Sequence, residues 1–368
     1  MRFTNDSRLP AKWTTGFGKD GRESLIIVVK ATYALPAHGE EPRLAPSQVP
    51  LVEADEYTGE PGLSAPRYET DFAHLKPACD VLLNGCAHAP AGSRVDRIAV
   101  GLKVGAMVKQ FMVVGDRVWQ KRLVGLAASA PQPFERMPVG YDRAWGGTDR
   151  TEEISHGRTA SCLANPVGRG FRQHLRDIDG LPLPNTEEPG RGIDDPQGDY
   201  RPMALSPVGR NWFPRYRWAG TYDDAWREEQ APFWPDDFDE RYFQAAPAEQ
   251  VIPFPVGGEE VVLRNLTPDG LRAFRLPVHR MPVTFAPHRG RDLHREAAID
   301  TIVIEPDLER FTLTWRINLP LGRSVFDVKE AIVGEQSPAW YRARRFPGKT
   351  YHASLADAVA ARRGKARG

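Results

Sequence analysis

Prolines and glycines interrupt this chain along almost its whole length, and they restrict it to short regular elements. The 368 residues include 33 prolines and 33 glycines, so that proline alone makes up about 9% of the chain, against about 5% in an average protein. Proline removes a main-chain hydrogen bond from a helix or a central strand, and both residue types favour turns. The sequence therefore predicts a mainly β protein with ordered turns instead of long helices.

An N-terminal β-rich region, residues 1–130, is predicted from runs that suit strands. Residues 23–35 are rich in β-branched side chains, and residues 95–104 alternate with the period of a strand that has one buried face. The turn formers Gly115 and Asp116 separate two strand-like runs and predict a hairpin. The predicted strands of this region are residues 23–35, 79–84, 95–104 and 107–114.

A second β-rich region, residues 256–345, is predicted from turn chemistry. The residues Thr-Pro-Asp-Gly at 267–270 join two apolar runs as a hairpin, because proline sets one turn dihedral and glycine accepts a positive φ. Residues 311–317 alternate between apolar side chains and threonine or arginine. The predicted strand pairs are 261–266 with 271–276 and 301–305 with 311–317. The two β-rich regions are predicted to be antiparallel and sandwich- or barrel-like. They are expected to form either two domains or one compact unit.

The middle of the chain, residues 131–255, lacks both strand and helix periodicity. It is crowded with aromatic, proline and charged residues, and a structureless segment of this length is unusual in a compact domain. We therefore predict irregular but packed chain with short helices at 223–229 and 236–245. Residues 346–368 form a predicted tail with a short helix at 354–361.

Charge and cysteine content limit the classes of function. The chain has 49 basic and 48 acidic residues, so no global positive charge favours nucleic acid. The three cysteines, Cys79, Cys86 and Cys162, cannot all pair within one chain, and the first residues do not resemble a signal peptide. No run approaches the roughly 18 apolar residues of a membrane span. These observations predict a soluble cytoplasmic protein that binds no nucleic acid and does not insert into membranes.

A search for catalytic chemistry finds no motif. The spacing of Cys79, Cys86 and His88 does not match a zinc site, and the chain has neither a Gly-x-Ser-x-Gly nucleophile elbow nor a phosphate-binding loop. We therefore predict no catalytic residue, cofactor or metal. One alternative is a hydrolase with paired carboxylates in an aromatic cleft, for which the candidates are Asp223, Asp237 and Asp239. We favour helix capping for these aspartates.

Two short sequences occur twice in the middle region. Tyr-Asp-x-Ala-Trp appears at 141–145 and 222–226, and Pro-Val-Gly-Arg ends at Arg169 and again at Arg210. The favoured interpretation is a structural bracket, in which each arginine bonds carbonyl oxygens or the aspartate of the other motif. The alternatives are a docking face for a partner and a polar site for a small molecule.

Aromatic and arginine side chains in this region are the candidates for protein binding. Tryptophan, tyrosine and arginine dominate the binding energy of protein interfaces. The predicted partner-binding residues are Trp145, Arg169, Arg210, Trp212, Tyr222, Trp226 and Trp234.

Many short blocks, in order, carry a family resemblance over residues 1 to about 320. They include Glu69-Thr-Asp-Phe72, Cys79-Asp-Val-Leu-Leu-Asn-Gly-Cys-Ala-His-Ala-Pro90, Gly115-Asp-Arg-Val-Trp119, Met137-Pro-Val-Gly-Tyr-Asp-Arg-Ala-Trp-Gly-Gly147, Asn165-Pro-Val-Gly-Arg-Gly170, Trp234-Pro-Asp-Asp-Phe-Asp239 and Ile304-Glu-Pro-Asp307. In these blocks the chain resembles a bacterial domain-of-unknown-function family associated with type VI secretion. The resemblance implies a non-catalytic adaptor or chaperone that binds a toxic effector and helps to load it onto the spike complex. The spike-tip protein is a second implied partner, and a structural component of the secretion apparatus is an alternative role.

Overall fold

A computed structural model describes residues 1–153, 157, 159–346, 348, 350–352 and 354–365, and it is mainly β, as predicted. In chain order the strands are β1 Arg2–Asn5, β2 Ala11–Phe17, β3 Glu23–Ala34, β4 Arg43–Leu44, β5 Glu56–Tyr57, β6 Pro66–Tyr68, β7 Cys79–Leu83, β8 Cys86–His88, β9 Arg97–Val104, β10 Met107–Val114, β11 Trp119–Lys121, β12 Leu126–Ala128, β13 Arg136–Pro138, β14 Trp145–Gly146, β15 Thr148–Asp149, β16 Ala160–Ser161, β17 Arg169–Gly170, β18 Thr186–Glu187, β19 Val251–Ile252, β20 Glu260–Arg264, β21 Leu271–Arg275, β22 Pro282–Pro287, β23 Leu293–Glu296, β24 Ala298–Glu305, β25 Arg310–Pro320 and β26 Val328–Val333.

The helices are short. The α-helices are α1 Asp224–Glu229, α2 Pro338–Arg345 and α3 Leu355–Lys365, and the 3-10 helices are Tyr141–Arg143, Arg215–Ala219, Glu240–Phe243, Ala248–Gln250, Pro306–Leu308 and Val325–Asp327. The helices predicted at 223–229 and 354–361 are thus confirmed as α1 and α3. In the part of the chain that the structure describes, no helix combines the length and the apolar character that crossing a bilayer requires.

The chain divides into two compact units, of which the smaller consists of Met1–Arg8, Met281–Glu296 and Val328–Gly368. Its sheet has the strand order β1-β26-β22-β23, with β1 parallel to β26 and the other pairs antiparallel. Ser337 is the N-cap of helix α2. Its hydroxyl accepts a hydrogen bond from the Trp340 main-chain nitrogen at 3.2 Å.

The larger unit, Leu9–Arg280 with Ala297–Asp327, contains two large sheets. The first has the order β19-β7-β24-β25-β3-β2, with β4 also paired to β3, and the second has the order β18-β10-β9-β20-β21. The rings of Phe274 and Phe311, one from each sheet, lie 5.3 Å apart, so the sheets share a core like that of a sandwich. Both sheets have two free edges, so among the described residues neither closes into a barrel.

The predicted strands of the larger unit are confirmed, but their partners come from distant parts of the chain. β3 pairs with β25, and β9 pairs with β20, so the two β-rich regions contribute strands to the same two sheets. The β20–β21 hairpin and the β24–β25 pair are antiparallel as predicted. β7 and β24 run parallel, which adds a mixed pairing to a sheet predicted as antiparallel.

Two local predictions are wrong. No hairpin forms at Gly115, because β10 pairs with β9 and β18 while β11 pairs with β12 in a separate sheet. A Cβ atom at Gly115 would lie 1.9 Å from the Gln132 carbonyl oxygen, so the glycine serves a close backbone approach. The helix predicted at 236–245 is shortened to the 3-10 helix Glu240–Phe243, because Asp237 bonds Thr221 instead of its own segment and Asp239 caps the helix only from that point.

The polar side of β25 is as deeply buried as its apolar side. Thr314 and Arg316 are 1% and 5% exposed. Asp71 pairs with Lys30 and accepts a hydrogen bond from Thr314, while Arg316 pairs with Asp300. Buried charges are tolerated when opposite charges and hydrogen bonds compensate them. This face of the seven-stranded sheet is therefore a buried layer of ion pairs, which the alternation of β25 did not reveal.

Asp80 in β7 joins this layer to the irregular middle region. Its side chain is completely buried and accepts a hydrogen bond from Lys76 Nζ at 2.7 Å. It also accepts from Gln244 Nε2 at 3.0 Å and from the main-chain nitrogens of Ala245 and Ala246 at 2.8 and 3.2 Å. One carboxylate thus anchors three consecutive residues that have no regular secondary structure of their own.

Candidate functional site

Two of the predicted partner-binding tryptophans are core residues. Trp145 is 1% exposed and packs among Trp119, Ile178, Leu183 and Ile193. Such a side chain has no surface to offer a partner.

Trp212 is also buried, at 3% exposure. Its ring lies 5.3 Å from that of Tyr141 in an edge-to-face arrangement. Trp145 and Trp212 therefore stabilise the irregular middle region and do not form a surface.

The two predicted arginines lie in different surroundings. Arg210 Nε is 3.0 Å from Glu69 Oε1 and 3.2 Å from Asp55 Oδ2, so Arg210 braces the middle region against the N-terminal chain. Arg169 Nε donates to the main-chain oxygen of Asp142 at 3.1 Å. The aspartate side chain predicted as its partner instead accepts hydrogen bonds from the Thr58 hydroxyl and from a main-chain nitrogen.

The structure brings the remaining three predicted residues together in one loop. Tyr222, Trp226 and Trp234 lie in residues 220–238, which we call the aromatic loop. The ring of Tyr222 meets that of Trp226 at 4.7 Å, and Trp234 stacks on Phe238 at 4.4 Å. The rings of the loop therefore support one another, but Phe238 is buried and Trp226 and Trp234 are half-buried, so that Tyr222 is the exposed member of these four.

Hydrogen bonds fix the backbone of the aromatic loop. Asp237 accepts from the Thr221 main-chain nitrogen at 2.9 Å and from its hydroxyl at 2.8 Å, which ties the two ends of the loop together. Asp223 accepts from the Trp226 main-chain nitrogen at 2.9 Å and so caps α1. The loop is thus held by its own side chains, although it contains only six residues of α-helix.

Both indole nitrogens of the loop donate to main-chain oxygens. Trp226 Nε1 donates to the Phe233 oxygen at 2.9 Å, and Trp234 Nε1 donates to the Phe17 oxygen at 2.8 Å. Phe17, at the end of β2, also places its ring 5.7 Å from that of Phe233. The two indole nitrogens are therefore hydrogen-bonded within the protein. Tyr222, Phe17 and Phe233 remain 51%, 51% and 40% exposed.

Phe17 and Phe233 belong to this surface but were not predicted as site residues. Phe233 lies in the same Pro-Phe-Trp-Pro stretch as Trp234, which was the available signal. Phe17 lies more than 200 positions away along the chain, and no local pattern connects it to the loop.

The aromatic loop is strongly acidic. Residues 220–238 contain six acidic residues, at positions 223, 224, 228, 229, 236 and 237, and a single basic residue, Arg227. Hydrogen bonds from Thr221 lower the pKa of Asp237, so this carboxylate is ionised near neutral pH. The loop that carries the exposed rings therefore has an excess of negative charge, and Lys19 approaches its end by donating to the Phe238 main-chain oxygen at 3.0 Å.

The carboxylates considered for a hydrolase act as structural acceptors. Asp223 caps α1, Asp237 closes the loop, and Asp239 accepts from the Arg241 main-chain nitrogen at 2.9 Å. Hydrogen bonds from Arg241 lower the pKa of Asp239, whereas a general acid needs a raised one. The capping interpretation is confirmed for Asp223 and Asp239.

A groove of about 250 Å³ beside the 3-10 helix Arg215–Ala219 offers a second apolar surface, lined in part by Phe213, Pro214 and Trp218. Phe213 is 39% exposed. The charged residues of the groove already have partners, since Glu249 lies 2.9 Å from Lys109 Nζ. Among the described residues, the groove therefore has no unpaired charge that would favour a particular partner. In this it differs from the acidic aromatic loop.

Asp307 organises a small polar cluster around Cys86 and His88. Its Oδ1 lies 3.1 Å from His88 Nε2, and its Oδ2 lies 2.6 Å from Arg136 Nη2. Burial and the charge of Asp307 raise the pKa of Cys86 to about 11, so the thiol stays protonated and is a poor nucleophile. No group of three potential ligands among the described residues is arranged to hold a metal ion.

This cluster predicts an acid-sensitive contribution to stability. Burial by itself raises the pKa of Asp307, but hydrogen bonds from His88 and Arg136 outweigh it and lower the pKa from 3.8 to about 2. The folded state therefore favours the ionised carboxylate, and this stabilisation is complete above about pH 4 and lost as the pH falls towards 2. Asp307→Asn is expected to cost about 1–2 kcal/mol at pH 7, after allowing for partial solvent screening.

Urea denaturation of both proteins between pH 2 and pH 7 checks this expectation. The difference in unfolding free energy between wild type and Asp307→Asn is expected to shrink as the pH falls from 4 to 2. A difference that is constant over this range would contradict the role given to Asp307.

One family model matches the chain over residues 20–316, and its description is "Uncharacterized protein conserved in bacteria (DUF2169)". No curated protein matches the chain, and no solved structure does. The match covers both large sheets of the larger unit except for β2 and the last four residues of β25, and it includes the whole aromatic loop.

Proposed function

The chain belongs to the DUF2169 family of uncharacterized proteins conserved in bacteria, and we propose that it is an adaptor that binds a second protein through its aromatic loop. The observation that carries this proposal is the set of exposed rings on a loop whose backbone and indole nitrogens are already hydrogen-bonded. The type VI assignment rests on the sequence blocks that resemble a family associated with that system.

Exposed aromatic rings on a fixed loop favour binding for two reasons. Each ring buries a large apolar area when a partner covers it. Because the loop is closed by Thr221 and Asp237 and supported by Phe17, little conformational entropy is lost on binding. A partner therefore gains the apolar contact without paying for the ordering of the loop.

The charge of the loop indicates what kind of surface binds to it. The loop that carries the rings contains six acidic residues and one basic residue. A partner with lysine or arginine beside apolar side chains complements this arrangement, and its cations also interact favourably with aromatic faces. We propose that the partner is a secreted type VI effector that presents such a basic, apolar segment, and that the adaptor delivers it to the spike complex.

Co-expression with a candidate type VI effector, followed by size-exclusion chromatography at 50 and 500 mM NaCl, tests this function. The expected result is co-elution at low salt and weaker association at high salt, because exposed charges are screened. Deletion of the adaptor gene is expected to abolish secretion of the effector while leaving its transcript level unchanged.

Two outcomes would argue against the adaptor role. Failure to associate with any candidate effector at low salt would remove the proposed partner. A constant, stoichiometric presence in purified sheath or spike would instead identify a structural component of the apparatus.

A further inference from the structure

We propose that Arg169 and Arg172 form a binding site for an oxyanion, namely a carboxylate or phosphate group of a small molecule. The two side chains are half-buried and line a cleft of about 360 Å³, together with Thr148 and Gly168. This volume is within the range of small-molecule sites. The site is separate from the aromatic loop and does not depend on the adaptor function.

Within the described part of the chain, Arg169 has no carboxylate partner of its own. None of the described residues places a carboxylate within ion-pair distance of its guanidinium, and its Nε donates to a main-chain oxygen of Asp142. The Asp142 side chain also lines the cleft, but its two oxygens accept hydrogen bonds from the Thr58 hydroxyl at 2.7 Å and the Ala65 nitrogen at 2.9 Å. Both oxygens of this carboxylate therefore already accept hydrogen bonds.

A second arginine adds to the positive charge beside Arg169. Burial and the neighbouring charge of Arg143 both lower the pKa of Arg169, although a guanidinium stays protonated at neutral pH. Asp116 compensates Arg143, lying 3.1 Å from its Nη1, and one oxygen of Asp116 also accepts from Asn185. The charges of Asp116 and Asp142 act in the opposite direction on the pKa of Arg169, so two arginines and two aspartates lie at this end of the cleft.

Arg172 is in a similar position. No described carboxylate lies within ion-pair distance of it, and the acid in its neighbourhood is Asp149. Asp149 is 2% exposed, and its oxygens accept from the main-chain nitrogens of Thr151, Gln173 and His174 at 2.8–2.9 Å. The oxygens of Asp149 are therefore directed to the backbone. Arg172 Nη1 donates to the main-chain oxygens of Thr148 and Phe171 at 3.4 and 3.2 Å, and its other nitrogens remain as donors for a ligand.

The backbone that carries Arg169 is rigidly held. Arg169 pairs with Trp145 in a short parallel bridge, and Asn165 Nδ2 donates to the main-chain oxygens of Tyr141 and Trp145 at 2.9 and 3.0 Å. Gly146 has a φ of +143°, and a Cβ atom there would lie 2.1 Å from the Asn165 oxygen, so only glycine fits. A guanidinium on such a support is pre-organised for binding.

These observations together indicate an oxyanion. A half-buried guanidinium that no described carboxylate contacts directly is less well compensated than an ion-paired one, and an anionic ligand supplies the missing contact. The planar guanidinium offers paired donors that match the oxygens of carboxylate and phosphate groups. The two guanidinium groups without a direct ion pair to a described carboxylate, the open volume and the rigid support all lie at the same cleft.

Isothermal titration calorimetry of the full chain with inorganic phosphate, and separately with succinate, tests the site in dilute Tris-chloride buffer. The expected result is saturable binding of at least one anion at a single site. Stronger binding of phosphate would identify a phosphate ligand, and stronger binding of succinate would identify a carboxylate ligand. Arg169→Gln and Arg172→Gln are each expected to weaken that binding at least tenfold.

Arg191→Gln is the matched control, because Arg191 is an exposed arginine that already pairs with Glu188. It is expected to bind the anion like the wild type, and thermal unfolding of each variant checks that it folds. The proposal is overturned if neither anion binds saturably, if both cleft variants keep the wild-type affinity, or if Arg191→Gln loses as much affinity as they do.

Discussion

Replacing Asp80 with alanine is expected to lower the free energy of unfolding by about 3–5 kcal/mol, because it leaves a buried charge without its partner. Burial favours the neutral amine of Lys76, but the charges of Asp80 and Asp300 outweigh this effect and raise the pKa of Lys76. The variant also deprives the main-chain nitrogens of Ala245 and Ala246 of their acceptor. Urea denaturation at pH 7, followed by circular dichroism, measures the loss.

Two variants separate this effect from a general loss of charge. Glu260→Gln removes an exposed ion pair with Lys103 and is expected to cost at most about 1 kcal/mol. The double variant Lys76→Met/Asp80→Ala is expected to recover part of the stability lost in the single variant, because no uncompensated charge remains. A loss below about 1 kcal/mol for Asp80→Ala would contradict the anchoring role of this carboxylate.

The double variant Tyr222→Ala/Phe233→Ala is expected to weaken effector binding about 100-fold, which corresponds to about 2.7 kcal/mol. Both rings are exposed, at 51% and 40%, so their removal exposes little core and is expected to leave the fold intact. Calorimetric titration of the adaptor with the effector identified by co-elution measures the affinity, and thermal unfolding confirms that the variant is folded.

Phe254→Ala provides the matched control for the loop variant. Phe254 is also exposed, at 42%, but it lies outside the aromatic loop, so its replacement is expected to leave the affinity unchanged. Glu228→Gln/Glu229→Gln keeps the rings and removes two acidic charges, so it is expected to slow association and to reduce the salt dependence. Unaltered effector binding by the Tyr222→Ala/Phe233→Ala variant would show that the loop is not the binding surface.

Strands with a strong local signal were predicted, whereas their pairing was not. The β-branched run at 23–35 and the alternation at 95–104 mark β3 and β9 because side-chain period depends only on neighbouring residues. The partners of these strands, β25 and β20, lie more than 150 positions away, and the pairing depends on the whole core. The predicted hairpin at Gly115 failed for the same reason, since the contact that decides it is with Gln132.

The candidate site shows the same division at the level of single residues. Trp145 and Trp226 end two copies of the same five-residue motif, yet Trp145 is core and Trp226 lies in the aromatic loop. Likewise, Arg210 meets carboxylates and Arg169 meets a carbonyl oxygen, although both follow Pro-Val-Gly. Residue type identified the candidate binding residues. Only their burial showed which of them support the fold and which lie at the surface.

The sequence by itself determined the mainly β character, the positions of the principal strands, the helices α1 and α3 and the aromatic composition of the middle region, because these depend on local period and turn chemistry. Only the tertiary structure decided which strands pair, that the polar face of β25 is a buried layer of ion pairs, and which aromatic and arginine side chains remain available. Strand pairing and burial depend on contacts between residues that are far apart in the sequence. Asp71 and Thr314, for example, are more than 200 positions apart, and no local pattern predicts such a contact.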